Sequence, residues 1–573
     1  VKLLAVPDQN TMLKKKTIKR TGIILFSSIV ILFIAWQLLK ELKIKSYVVD
    51  SIHTELNHYF EDSVHFQIED ISFRFLQKEI VLEEMKIDLI ADQKDSIASL
   101  ELPKLSLSWD SYWETFNNKL YKFNILELKK AKLLLPFDFD KIKTSKASRP
   151  SFEGKFELEI KDFMVEGGEI LFYDERNSKT GRINTEYNLF AQELKFKKGE
   201  IPEKFQDIAK DIFLEFHDLS YFLKDDLNKV EIKKIAFNLF KQDITINGAH
   251  FTSIHSPEKF AKLKEVQANH IDIFLDSISL NSMKWQGDSM VSINTIFTDS
   301  IELKVTKDKN YHLPDDRFIP VLVELLKDSE ISIDVRKCII QNMNLSYFEI
   351  PDGSQETGTV SITNIQGEIS NITNRKDSIL KYGVDLVIKA SGNLYDEGKL
   401  TADIKYDLTS NYGYFKVAGN LEPMSIGAIN QYLSKSAPIE ITSGNVDELY
   451  FSYSGGNTAV TGEMEFKYSD LKIKFDKIIN EEKQGDKALS WLANVALSQE
   501  NPKENGRFRI GRIDFKRDTR KSMFSYWSNS LVSGFQSTVG LGKASRVEKL
   551  GKEEKKDENL WQKIGFGKDE DGE

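Results

Sequence analysis

Apolar and polar residues alternate with a period of two along most of this chain. From His65 the apolar positions are Phe66 and Ile68, then Ile71, Phe73 and Phe75, then Ile80 and Leu82, then Met85, Ile87 and Leu89. Leu100, Leu102, Leu105, Leu107 and Trp109 continue the series. A two-residue period puts these side chains on one face of a strand and predicts half-buried antiparallel strands, with breaks, as far as Phe475. The start of the chain is different. Thr21 to Leu39 carries no charge, and Ile23, Ile24, Leu25, Phe26, Ile29, Val30, Ile31, Leu32, Phe33, Ile34 and Trp36 make it apolar all round. At about 1.5 Å per residue it matches a bilayer core, so it predicts a membrane-spanning helix. Lys14, Lys15, Lys16, Lys19 and Arg20 precede it, and only Lys40, Lys43 and Lys45 follow, which places residues 1–20 in the cytoplasm. The stretch is long for a signal peptide and ends without a small-residue cleavage site, so an uncleaved anchor is expected. Residues 40–64 then keep a helical stripe through Leu42, Val49, Ile52, Leu56 and Phe60, the expected joint between anchor and strands.

The strand region resembles itself. Leu100 to Trp109 matches Ile271 to Leu280, Ile125 to Leu135 matches Thr295 to Val305, Phe156 to Glu175 matches Ser329 to Ile350, and Gly181 to Phe196 matches Gly358 to Ile372. The four matches keep one order and a spacing of 170 to 177 residues, and Ile439 to Tyr453 is a partial third echo. The reading is a first β-repeat region over 65–270 and a second over 271–475. Helices are few: Phe318 to Lys327 behind Asp315 and Asp316, Ile426 to Leu433, Ala488 to Leu497, and Lys521 to Leu541. In the last, Phe524, Trp527, Leu531 and Phe535 share a face behind the strand pair Arg507 to Arg517. Residues 476–545 form this closing segment, and 546–573 is a charged tail expected to be disordered.

Composition adds limits. A net charge of −9 spread over 573 residues gives no reason to expect nucleic acid as a partner. The 37 Phe and 19 Tyr suit sheets with one wet face, and a lone cysteine, Cys338, excludes an internal disulfide. No HExxH, CxxC, GxSxG or post-strand GxGxxG occurs, and Gly540-Leu541-Gly542-Lys543 has neither the leading Gly nor the following Ser or Thr of a phosphate loop. His53 and His58 are five apart, off the spacing of a helical metal site; Asp138 and Asp140 read as a strand end; Gly167-Gly168 reads as a turn or bulge. No catalytic residue, metal or cofactor is therefore expected. The apolar strand faces need covering, and two readings stay open: paired sheets closed on themselves, or a long groove lined by Phe66, Ile68, Ile71, Phe73, Phe75, Leu105, Leu107 and Trp109 that takes lipid chains.

Three features together resemble the AsmA-like family of envelope proteins, relatives of the bridge-like lipid-transfer proteins: the lone anchor, the opening VHFQIEDISFRFLQKEIVLEEMKIDL, and the closing segments Leu421 to Ile473 and Arg517 to Leu541. The resemblance implies a mainly β protein, a taco-like elongated antiparallel groove with a few short helices. It also implies a single pass through the inner membrane, with the bulk of the chain periplasmic, and a part in phospholipid transport or outer-membrane homeostasis without covalent chemistry. Phospholipid, the inner membrane and envelope proteins would be its partners. Roughly 25 to 30 strands at about 4.8 Å would span on the order of 120 to 140 Å. Arg507, Arg509, Arg512, Lys516, Arg517, Arg520 and Lys521 before the aromatic face of Phe524, Trp527, Leu531 and Phe535 suggest membrane contact; a helix covering the sheet's edge gives the same pattern. A different class of function also fits: a non-enzymatic assembly factor whose closed β-sandwiches bind protein partners in outer-membrane biogenesis.

Overall fold

The computed structural model describes residues 64–74, 77–90, 96–108, 120–136, 157–173, 183–197, 208–223, 225–286, 290–437, 439–475, 498–540 and 546–549. The Thr21 to Leu39 anchor, the 40–64 joint apart from Val64, and the Ala488 to Leu497 helix expected from the sequence lie outside these residues. Among the described residues no helix is long and apolar enough to cross a membrane. They form long strands and a few short helices, in two compact units that divide between Leu214 and Glu215.

In the first unit β1 (Val64–Arg74), β2 (Glu79–Ile90) and β3 (Ser96–Ser108) pair antiparallel in sequence order. The next rung is split. β4 (Leu120–Lys129) and β5 (Lys132–Pro136) both lie along β3, and both pair in parallel with β6 (Glu157–Tyr173), which is antiparallel to β7 (Ile183–Lys197). β8 (Asp211–Phe222) crosses the division between units.

The second unit repeats this plan. β9 (Asn228–Asn238), β10 (Asp243–Ser253) and β11 (Asn269–Asn281) are antiparallel, and β13 (Met290–Asp308) takes β11 and the short β12 (Lys284–Gln286) along one edge. β13 then pairs in parallel with β14 (Ser332–Ile350), and β14 antiparallel with β15 (Gly358–Thr373). The segments that match in sequence thus occupy corresponding strands, each set containing one parallel step. Meander order continues through β16 (Asp385–Leu394), β17 (Gly398–Asp407) and β18 (Phe415–Leu421), which shares an edge of β20 (Ile439–Gly455) with β19 (Met424–Ser425), to β21 (Ala459–Phe475), β22 (Arg507–Lys516) and β23 (Arg546–Lys549).

Three expectations change. The fold is mixed rather than purely antiparallel, because β4 and β5 pair in parallel with β6, and β13 with β14. Among the described residues strands are fewer than the roughly 25 to 30 expected, and several are very long: β13 and β14 have 19 residues each, β20 and β21 17. The charged tail also starts with a strand, β23, whose Arg546 reaches Glu463 and Glu548. Helices occupy strand connections: α1 (Pro257–Lys264), α2 (Leu322–Lys327), α3 (Lys376–Tyr382) and α4 (Asn430–Ser436), the last behind a 3-10 turn, Ile426–Ile429. α1, which the apolar pattern does not predict, has Ser256 as its cap, accepting from the Lys259 N–H at 3.4 Å. α2 is shorter than expected; its entry is held by Glu324, whose carboxylate accepts from the Val321 N–H at 3.0 Å, with Pro320 left outside.

One backbone feature recurs in nearly every long strand. A residue leaves the ladder in mid-strand, often in the left-handed region, and these residues are in register with one another. In the second unit the line runs from Lys233 through Gly248 (φ 62°), Asp276 and Ser300 (φ 54°) to Asn342 (φ 51°), each flanked by paired neighbours, and ends at Asn364 (φ 48°) where the β14–β15 register shifts. In the first it runs from Glu84 (φ 52°) through Pro103 and Lys130 (φ 55°) to Gly167 (φ 59°). The residue types suit the task. Gly and Asn tolerate positive φ, and Pro103 lacks an N–H at a place where no ladder bond is made. Side chains take over the lost bonds: the Gly167 N–H donates to Asn188 Oδ1 at 2.9 Å and the Asn364 N–H to Asn344 Oδ1 at 2.9 Å. A β-branched residue cannot hold this backbone, so Asn342→Val should lower unfolding stability by about 1–2 kcal/mol while Asn342→Gly stays near wild type, read from urea denaturation midpoints.

Candidate functional site

The crease determines where apolar side chains go. With one residue out of the ladder the alternation slips by one, so apolar positions step by three across the line: Ile68 to Ile71, Leu82 to Met85 and Leu102 to Leu105 in the first unit. Both sides of the line meet in one cluster there. Ile71, Phe73 and Leu82 are buried, with Ile68, Ile80, Met85 and Leu105 packed against them. The second unit steps likewise at Ile246 to Ala249, Leu275 to Ile278, Thr298 to Ile301 and Ile340 to Met343.

Register then turns single positions into rows running across the strands. Directly opposed residues share a face, so Phe237, Ile244, Leu280, Ile296, Cys338 and Ile369 form one row of the second unit, and Ile235, Ile246, Ile278, Thr298, Ile340 and Gly367 the next. Beyond the crease come Ile232, Ala249, Leu275, Ile301, Met343 and Ile365, then Val230, Phe251, Ile273, Leu303, Leu345 and Ile362. Six strands at about 4.8 Å make each row roughly 24 Å long. Most of these side chains are half-buried, with Thr298 and Ile301 buried. Burial pushes the Cys338 thiol up, as its apolar row requires. The opposite face, apart from Ala236, Phe274, Phe297 and Ile339, is mostly polar and bonded to itself: Thr252 Oγ1 donates to Asp272 at 3.1 Å, Asn344 Nδ2 to Glu302 at 2.7 Å, and Lys337 pairs with Glu368 at 3.0 Å.

The same face is covered farther along. Over β17 to β22 Tyr406, Phe415, Val417, Tyr453, Phe466 and Ile513 are at most 3% exposed. Helix α5 (Met523–Val539) packs on β21 and β22, closely because Gly511 and Gly534 meet: a Cβ on Gly511 would lie 2.4 Å from the Gly534 carbonyl oxygen. It also closes an edge. The Arg512 N–H donates to Ser537 Oγ at 2.8 Å and the Asp514 N–H to Ser533 Oγ at 3.2 Å. Of the four residues suggested for membrane contact, Trp527, Leu531 and Phe535 pack against this core, Phe535 with its ring 5.5 Å from that of Phe466. Phe524 keeps 38% exposure and touches the Tyr347 ring at 5.9 Å.

The groove residues expected from the sequence belong to the first unit. Ile68, Ile71, Phe73 and Leu105 come together in its cluster, and Leu107 stands in the same row as Phe73 by way of Ile80. Phe66 pairs with Ile87 through its backbone; its side chain, Phe75 and Trp109 lie outside the described residues. The rows of β9 to β15 have no such single-residue forecast, although the three-residue steps mark them. Among the described residues no group of three His, Cys, Asp or Glu is placed to hold a metal ion.

At one end of the strands the rows meet a buried polar network. Glu349, 3% exposed, accepts from Lys309 Nζ at 2.6 Å and from the hydroxyls of Tyr432 and Tyr347 at 2.7 Å each. Burial alone would push its carboxyl up, but the bonds from Lys309, Tyr432 and Tyr347 outweigh that and hold it below the ordinary carboxylate value. Both tyrosines are pushed up, first by burial and then by the Glu349 charge. No protein-family model matches the chain, and no curated protein matches it in sequence. A depressed carboxyl stabilises the fold above its unfolded pKa and loses that contribution as the pH falls through its folded value. Glu349→Gln should therefore cost about 2 kcal/mol at neutral pH, and the gap to wild type should close as the pH falls below the ordinary carboxylate range, measured by chemical denaturation across pH.

Proposed function

We propose that this protein is a non-enzymatic lipid carrier whose apolar rows hold acyl chains. The observation that supports the reading best is the half-buried apolar face of β9 to β15: four rows in register across six strands, backed by a mostly polar, hydrogen-bonded face. An extended chain lying along such rows would bury about 0.8 kcal/mol of transfer free energy per CH₂, and needs no directional partner, which a largely apolar surface does not offer. A protein partner would need polar contacts to fix its register. The Thr21 to Leu39 stretch and its flanking charges supply the proposed address: a single pass through an inner membrane, with the strand region on the periplasmic side and phospholipid the cargo moved toward the outer membrane.

Phospholipid should co-purify with the detergent-extracted full chain, detected by mass spectrometry. The double change Leu275→Glu with Ile278→Glu puts charges on two adjacent rows and should reduce bound lipid by about tenfold or more, since an acyl chain cannot solvate them. Thr245→Glu on the exposed polar face should leave it unchanged. Lipid retained by the double variant, or wild-type lipid no higher than on a closed β-sandwich control, would refute the reading.

A further inference from the structure

The rows of β13 end on a charge. Following Ile301, Leu303 and Val305 at the strand's two-residue spacing comes Lys307, opposite Asn269 on β11 and beside Glu349 on β14. Glu349 is already engaged by Lys309 and two tyrosines. Lys307 is half-buried and, among the described residues, its side chain has no ion pair or hydrogen bond. Its ammonium is pushed down to about 8, first by burial and then by Arg317 and Lys309, with Lys521 adding to the repulsion and Glu349 opposing it.

Those cations come from separate parts of the chain. Arg317 lies on the connection between β13 and β14 and is steadied by donating from Nη1 to the Gln267 carbonyl at 2.9 Å. Lys521 stands just before Ser522, the cap of α5, whose Phe524 rests on Tyr347 in the row of Val305. Nearby carboxylates are occupied elsewhere: Asp518 holds Arg520 at 3.0 Å and reaches Lys521 only at 3.7 Å, and Asp315 pairs with Arg520 at 2.9 Å. The fold therefore gathers positive charge, only partly compensated by its own side chains, where an apolar surface stops. Like charges held together in a half-buried place oppose folding, and an anion between them would reverse that cost.

We propose that Lys307, Arg317 and Lys521 bind the phosphate of a glycerophospholipid whose acyl chains lie along the rows leading to them. The proposal rests on the lipid-carrier reading and deepens it, by giving the groove a preference for an anionic headgroup. Arg317 offers a planar fork for two phosphate oxygens, and the lysines add point charges.

The test compares two probes with the same pyrene-labelled acyl chain, phosphatidylglycerol and diacylglycerol, binding to the full-length protein in detergent. Wild type should prefer the phospholipid by about tenfold. Lys307→Gln with Lys521→Gln should remove most of that preference and leave diacylglycerol binding within about twofold, and Lys307→Arg should retain it. Equal affinities in wild type, or an equal loss of both probes in the double variant, would overturn the headgroup site while leaving the groove standing. Failure of wild type to bind either probe would overturn the groove and this site with it. Displacement of the phospholipid by inorganic phosphate as completely as by unlabelled lipid would overturn the headgroup assignment in favour of a free-phosphate site. If the double variant melts early, Lys521→Gln alone serves, because it removes only the 3.7 Å pair with Asp518; a preserved preference there and in Lys307→Gln would also overturn the proposal.

Discussion

A long strand with strict alternation can show an apolar face, but right-handed twist turns that face steadily as rungs are added. The aligned mid-strand residues interrupt each ladder at the same point and let the strand bend there. Glu84 and Lys130 show what this line demands: charged side chains held at positive φ inside a sheet, a conformation costing about 1 kcal/mol or more at each non-glycine position. Such a cost is tolerated in strand after strand only where neighbouring strands enforce it. Asn344 and Asn188, whose side-chain carbonyls take up the orphaned N–H groups of Asn364 and Gly167, are part of that enforcement.

The apolar face has two fates within the second unit. Over β17 to β22 it is covered by α5 together with Val323 and Leu326 of α2 and Ile426 of the 3-10 turn, with Tyr406 and Phe415 in ring contact and Phe415 against Tyr526 of α5. Over β9 to β15 most of its Ile and Leu side chains are only half-buried. The sealed part has aromatic rings, glycines at points of close approach and serines that bond the sheet's edge, the devices of a surface fitted to a particular partner. The open part is mostly aliphatic, with Phe237 and Phe251 among its rows, and repetitive. That difference in chemistry separates a folding core from a surface that could accommodate a flexible chain at many positions.

Much of this was legible in the residues. The alternation from Phe66 to Trp109 marked the strands, the matches near 170 residues apart marked corresponding strands, and Met523 to Val539 was legible as the last helix. What escaped was the meaning of the three-residue steps. Ile68 to Ile71 or Leu82 to Met85 looks like the end of one strand and the start of another; the structure carries a single strand through, because one left-handed residue restores the phase. Parallel pairing escaped for a different reason. Nothing in the composition of β6 or β14 distinguishes a parallel from an antiparallel neighbour when both faces keep their polarity. The aromatic face of α5 was ambiguous because covering a sheet edge and lying on a membrane both call for Trp and Phe on one side; the small residues Gly534, Ser533 and Ser537 on the helix indicate the first.

The parallel step links topology to chemistry. An antiparallel meander needs only short turns, but to enter β14 alongside β13 the chain must travel back the length of the strand, and the connection of residues 309–331 does so. It brings Arg317 to the strand end that carries Lys307, and its Ile319 backbone is tied to Thr519 and Arg517, just ahead of α5. Lys521 arrives by the same attachment. A charge cluster at the limit of the apolar rows thus follows from how the chain must be routed, since the segment that makes the parallel pair also places the cations beside it.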